Sequence, residues 1–252
     1  MKNAYSALAA YYDRLGEHID YEKYAKTAIM LNEKYGEGKS GLTLDLACGT
    51  GSVAACLAKA GCEVIAVDSS SEMLFEAREK ASEEGLDILY LCQDMRELDL
   101  YGTIDLVVSA VDSMNYLTTT KDLEKTFSLV HNFLEPGGIF FFDMNTKKKF
   151  EEVYGNNSYV FEDDGVFCVW QNDYNEKTGI CRFYVTVFEE NEDGEYSRDD
   201  ECHKERCYSF ATVKKLLEKC GFDIIGVYSD LDLTPSSGNE MRSFFVAKAI
   251  KD

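Results

Sequence analysis

Apolar runs of strand length alternate with amphipathic stretches of helix length through the first 145 residues. Leu42–Ala47, Glu63–Val67, Ile88–Leu91, Ile104–Ala110 and Gly138–Asp143 read as strands, with Ser52–Lys59, Ser71–Glu84 and Leu123–Leu134 as helices between them. In Ser71–Glu84, Met73, Leu74, Ala77 and Ala81 recur on one face at the helical period. Ser69 or Ser70 can cap that helix and Gly85 can stop it. Near-continuous apolar strands separated by helices predict a parallel sheet covered on both faces. From about Val160 the period changes. Val166–Tyr174, Ile180–Glu190 and Glu201–Tyr208 are rich in aromatic and β-branched residues and are joined by Asn- and Gly-bearing turns, which predicts an antiparallel meander. A helix at Ser209–Cys220 and strands at Phe222–Tyr228 and Ser243–Ala249 then resume the first scheme. The fold class expected is α/β: a doubly wound, mostly parallel seven-stranded sheet with an inserted antiparallel β-meander. We expect one domain over residues 1–252, with a helical cap at 1–38 and an inserted lid at 146–210. Tyr5, Leu8, Tyr12 and Leu15 share a stripe of the cap, either as packing or as a wall facing a ligand.

Composition narrows the setting. There is no apolar run near the roughly 20 residues that span a bilayer, and the first residues lack the pattern of a secretory signal. Nine cysteines are scattered without a C-x-x-C pair, which fits a reducing compartment and small apolar roles. No metal site is expected, and a cytoplasmic location is. The formal charge of −20 comes from 46 acidic against 26 basic residues. Polyanion binding draws on a basic stripe, so neither nucleic acid nor a membrane is an expected partner.

The chemistry concentrates at Asp45-Leu46-Ala47-Cys48-Gly49-Thr50-Gly51. A ligand of an open parallel sheet binds beyond the carboxyl ends of the strands. Gly49 and Gly51 permit close backbone approach, and the helix that follows offers unpaired N–H groups. Asp68, ending the second strand, is placed to accept from ribose hydroxyls. Together these point to an adenosine-containing cofactor. Gly49-Thr50-Gly51-Ser52-Val53-Ala54 also satisfies the dinucleotide pattern G-x-G-x-x-G/A, so a nicotinamide oxidoreductase stands as an alternative. Asp45 argues against it: a carboxylate there would repel a pyrophosphate but suit a ligand bearing a cationic amine.

This set resembles the class I S-adenosylmethionine-dependent methyltransferases, which are Rossmann-like. The resemblance rests on Asp45–Gly51, on Val67-Asp68-Ser69-Ser70-Ser71-Glu72-Met73-Leu74, on Gln93-Asp94-Met95, on Ile104–Ala110 and on Leu134-Glu135-Pro136-Gly137-Gly138. Ala47 stands where many members have glycine, a departure of one methyl group. The chain is similar to small bacterial members with an inserted antiparallel lid. The resemblance implies that Asp45 meets the methionine amino group and that the Ala47, Cys48, Gly49 and Gly51 backbone passes under methionine and ribose. It implies that Asp68 holds the ribose, and that Asp94 and Met95 meet the adenine with Ser69 and Met73 beside it. The Ala110 carbonyl would face the amino group. Asp45, Asp68 and Asp94 could instead be turn or helix caps, and Met73 plain core. The product would be S-adenosylhomocysteine. A protein that binds the cofactor without catalysis is a further alternative.

The acceptor side is less determined. His203 is a candidate base, and Asn115 and Tyr116, in the loop after the fourth strand, are candidate catalytic contacts. Tyr12, Asn145 and Arg206 are candidate substrate contacts. His18 and His131 read as structural or surface residues. Strand alternation puts Glu201, His203 and Glu205 on one face and Arg206 on the other. Arg206 could equally pair with surface acids, and Trp170 and Tyr184 could simply pack within the meander. The expected partner is a small-molecule acceptor, and the protein a monomer or homodimer.

Overall fold

The five apolar runs pair side by side as parallel strands in a computed structural model that describes Ala9, Tyr12, Asp13 and residues 19–38, 41–163, 165–191 and 193–251. They are β1 (Leu42–Leu46), β2 (Glu63–Asp68), β3 (Ile88–Cys92), β4 (Ile104–Ser109) and β5 (Leu134–Asn145). With β10 (Phe222–Tyr228) and β11 (Arg242–Ala249) they form a seven-stranded sheet ordered β10-β11-β5-β4-β1-β2-β3. β11 runs antiparallel to both of its neighbours.

Helices cover both faces. α1 (Tyr21–Tyr35), α2 (Ser52–Lys59) and α3 (Ser71–Glu83) lie on one side, and α4 (Thr120–Phe133) and α5 (Phe210–Lys219) on the other. The run of phenylalanines in β5 shows why such a strand reads as continuously apolar. Phe141 joins Leu31, Leu57 and Leu74 under the first layer, while Phe140 and Phe142 join Phe127 and Phe245 under the second. Burying each such ring contributes roughly 1.5–3 kcal/mol. Ser70, Thr119 and Ser209 cap α3, α4 and α5 through their side-chain oxygens, each satisfying an amide that the helix leaves open.

The inserted segment is a separate four-stranded antiparallel sheet, not a three-stranded one. It comprises β6 (Ser158–Asp163), β7 (Val166–Asn175), β8 (Ile180–Glu190) and β9 (Tyr196–Arg206). The extra strand β6 lies at the sheet edge with Val160 and Phe161 exposed, so it lacks the alternation that marks a half-buried strand. A π-helical turn, Lys149–Tyr154, leads into it. Cys168, Phe183, Val185, Glu201, His203 and Glu205 are buried on its inner face. The cap expected at 1–38 contains α1, whereas Tyr5, Leu8, Leu15 and His18 lie outside the described residues.

Candidate active site

The order of the sheet reverses between β1 and β4, so a crevice opens past their carboxyl ends. Left-handed backbone lines both sides of it. After β1, Ala47, Gly49 and Gly51 have φ of 61°, 55° and 74°. After β4, Val111 and Asp112 have φ of 56° and 53°. A β-branched residue in that region is an outlier that its surroundings must hold in place. Here the holder is Asp143. Its two carboxylate oxygens accept the amide protons of Val111 at 2.7 Å and Asp112 at 2.9 Å, the arrangement of an anion nest. Arg242 on β11 pairs with Asp143 and reaches the Asp112 carboxylate at 2.6 Å.

The crevice has three joined lobes, of about 390, 210 and 40 Å³. Asp45, Cys48 and Ala110 line the smallest. Asp45 is 1 % exposed, and its Oδ2 has no hydrogen-bond partner among the described residues. Burial pushes its carboxyl up to about 7, against the Ala54 amide and with the Asp68 charge adding to the rise. A buried carboxylate with an open oxygen is stabilised by a cation placed against it. A side chain built on Gly49 would meet nothing within 4 Å, because this glycine faces the open crevice. Gly51 has another task. A Cβ there would meet Ala77 and the Tyr90 hydroxyl at 3.0 Å, so Gly51 lets α2 start close against α3 and β3, and its side-chain position does not line the three lobes.

In the largest lobe, Ala47, Gly49, Asp68, Ser69 and Met73 form one wall, and Tyr12, Val111, Ser113 and Tyr116 another. Asp68 Oδ2 accepts from the Gly49 amide and Oδ1 from the Ser70 amide. These bonds fix the carboxylate at the edge of the crevice. Asp94 and Met95 line the third lobe. Asp94 also caps the short turn Met95–Glu97 by accepting from the Arg96 amide, and pairs with the Arg96 guanidinium. Those bonds, the Arg96 pairing first, hold its carboxyl below the usual range. Any donor that enters this lobe toward Asp94 competes with Arg96 for its carboxylate.

The acceptor-side candidates separate. Tyr12 and Tyr116 face the crevice. His203 is 2 % exposed, its Nε2 lies 3.0 Å from Glu201, and its ring meets Tyr116 edge-on at 6.3 Å. Asn115 and Asn145 are buried and do not face the crevice as expected. Asn115 is spent on the backbone of Asn145 and Arg206. Asn145 bonds Tyr154, Glu205 and Lys149. Arg206 is turned away: its guanidinium donates to the Thr118 carbonyl at 3.0 Å and lies over the Tyr208 ring. Two residues were not singled out from sequence. Asp13 accepts from Thr50, Ser52 and Lys80 and is so tied to the glycine turn and to α3. Arg242, the first residue of β11, gives no local signal of its role.

A family profile described as a methyltransferase domain matches residues 43–138. A protein of Bacillus subtilis (strain 168), YqeM, named as a methyltransferase, is 35% identical over 98% of both chains. The chain belongs to the S-adenosylmethionine-dependent methyltransferases. A crystal structure of an S-adenosylmethionine-dependent methyltransferase from Clostridium acetobutylicum ATCC 824 matches with a TM-score of 0.86 and 32% identity, covering 99% of this chain and 100% of that one. The glycine/sarcosine N-methyltransferase of Halorhodospira halochloris is 27% identical over 95% of this chain and 87% of its own. The methyltransferase's crevice fits its cofactor. The open Asp45 oxygen suits the methionine ammonium, and the space before Gly49 suits a ligand lying on the turn.

Proposed function

We propose that this methyltransferase acts on a small-molecule acceptor bound beneath the inserted sheet. The observation that carries this reading is the position of Tyr12. Tyr12 walls the largest lobe of the crevice and also packs against Cys168, Val185 and Val187 of the inserted sheet. That sheet therefore roofs the reacting end, and an acceptor has to fit under it. A charge of −20 further disfavours a polyanionic acceptor.

The cofactor supplies a methyl group already activated on a sulfonium, so the protein's share is to position the acceptor in line and exclude water. In this reading Asp45 binds the ammonium and Asp68 the ribose, with Ala47, Cys48 and Gly49 beneath. Asp94, Met95, Ser69 and Met73 surround the adenine, and the Ala110 carbonyl points to the ammonium end. Tyr12 and Tyr116 flank the acceptor, and His203, backed by Glu201, takes a proton when the acceptor arrives protonated. The 27% identical relative named for glycine and sarcosine supports a small nitrogen acceptor. Nine scattered cysteines without a C-x-x-C pair support a cytosolic location in this reading.

The test is a screen of small amines, alcohols and thiols that reads S-adenosylhomocysteine release. Turnover of a small acceptor is the expected result. Turnover of only a protein or nucleic-acid substrate would overturn the reading.

A further inference from the structure

Asn115 lies on the short 3₁₀ turn Ser113–Tyr116 that follows β4, and it is fully buried. Its side-chain amide treats the Asn145 peptide as a neighbouring strand would. Oδ1 accepts from the Asn145 N–H at 2.9 Å, and Nδ2 approaches the Asn145 carbonyl at 3.4 Å. The same Nδ2 donates to the Arg206 carbonyl at 2.9 Å. Asn145 is the last residue of β5, where the chain leaves for the inserted sheet, and Arg206 is the last residue of β9, where it returns. One side chain thus joins both ends of the insertion.

The residues beside it reinforce the junction. Arg206 donates back to the Thr118 carbonyl, and the Tyr208 hydroxyl donates to the Leu117 carbonyl. On the other side, the turn touches the crevice. Ser113 and Tyr116, flanking Asn115, both line its largest lobe. Ser113 is held by the Ala110 carbonyl at 2.8 Å, and the Asn115 amide is held by the Asp112 carbonyl at 2.8 Å. The turn starts from the left-handed pair Val111–Asp112, which leaves it little freedom to relax alone.

We propose that Asn115 is a positioning residue through which an occupied cofactor crevice fixes the inserted sheet over the acceptor. The proposal rests on the reading that this sheet roofs the reacting end. A ligand seated against Ser113 and Tyr116 fixes the turn. Asn115 carries that constraint to Asn145 and Arg206 together, and β9 then holds His203 in register with Tyr116. A buried amide bonded to backbone at three points has no cheap alternative arrangement, since each lost partner leaves an unsatisfied polar group.

The test is hydrogen exchange of the full chain with and without saturating S-adenosylhomocysteine, in the wild type and in Asn115→Asp. The aspartate keeps an acceptor for the Asn145 amide and removes the donor to Arg206. In the wild type the ligand should slow exchange at 47–51 and also at 142–146 and 200–207. In Asn115→Asp the affinity should stay within about threefold and 47–51 should remain protected, while the protection at 200–207 is lost. Ligand-induced protection at 200–207 that persists in the variant overturns the proposal. So does a wild type protected at 47–51 but not at 200–207, an outcome that decides the matter even if the variant does not fold. A wild type with no protection at 47–51 would overturn the cofactor-site reading itself.

Discussion

Oδ2 of Asp68 accepts the amide proton of Gly49 at 2.9 Å, so the acid that ends β2 also holds the turn after β1. Under the proposed function, removing it acts twice, on the ribose and on the backbone that carries the ligand. Asp68→Ala should weaken S-adenosylhomocysteine binding by about 1–3 kcal/mol, the range for losing a charged hydrogen-bond partner. Isothermal titration measures this, and wild-type affinity in the variant would refute the ribose assignment.

Asp45 predicts a pH dependence. Its carboxyl titrates near 7 in the folded protein, pushed up by burial, and near the ordinary carboxylate value when unfolded. The folded state therefore keeps the proton longer. Its contribution to stability is full below the unfolded value, falls as pH rises, and is lost by about 7. A bound ammonium reverses the preference, because it favours the ionised form. The melting-temperature gain from S-adenosylhomocysteine should accordingly grow between pH 6 and pH 8. Asp45→Asn should flatten that profile; a steep profile in this variant would mean another group is responsible.

Ala47 sits at φ 61°. Left-handed backbone costs a residue with a Cβ about 1–2 kcal/mol, whereas glycine costs roughly 0.5–1 kcal/mol in chain entropy. Ala47→Gly should therefore stabilise the protein by about 0.5–1 kcal/mol. Chemical denaturation with an unchanged slope reads this out, and a loss of stability would show that the methyl group packs favourably.

Asp143 should be the costliest of these positions. It satisfies the Val111 and Asp112 amides, accepts from Tyr24 at 3.1 Å and is the partner of Arg242. Breaking such a buried pair from one side costs about 3–5 kcal/mol. Urea unfolding of Asp143→Ala should show a loss of that size, and a loss under about 1 kcal/mol, the worth of a surface pair, would mean that Asp112 alone satisfies Arg242.

The α/β order was legible because β1 to β5 are apolar on both faces and the helices between them carry a one-sided stripe. Asp45, Asp68 and the glycine turn were legible because their places follow from the ends of strands. β6 was not: Ser158–Asp163 is an exposed edge whose side chains follow no alternation. From sequence, Asn115 and Asn145 read as crevice-facing because polar residues after a strand usually are, and Arg206 reads as a substrate anchor because of its charge. Their partners lie 30 and 91 positions away in the chain, and nothing local to Asn115 reports them. The strain at Ala47 was likewise hidden, since sequence shows a methyl group and not the backbone angle that makes it costly.

Arg242 comes from the final strand of the sheet, long after Asp112 and Asp143 in the order of synthesis. Until β11 slots between β5 and β10, those two carboxylates have no guanidinium between them, and the loop beside the crevice lacks its counter-ion. That loop, on the β4 side of the crevice, is thus charge-balanced by a residue 130 positions further along the chain than Asp112.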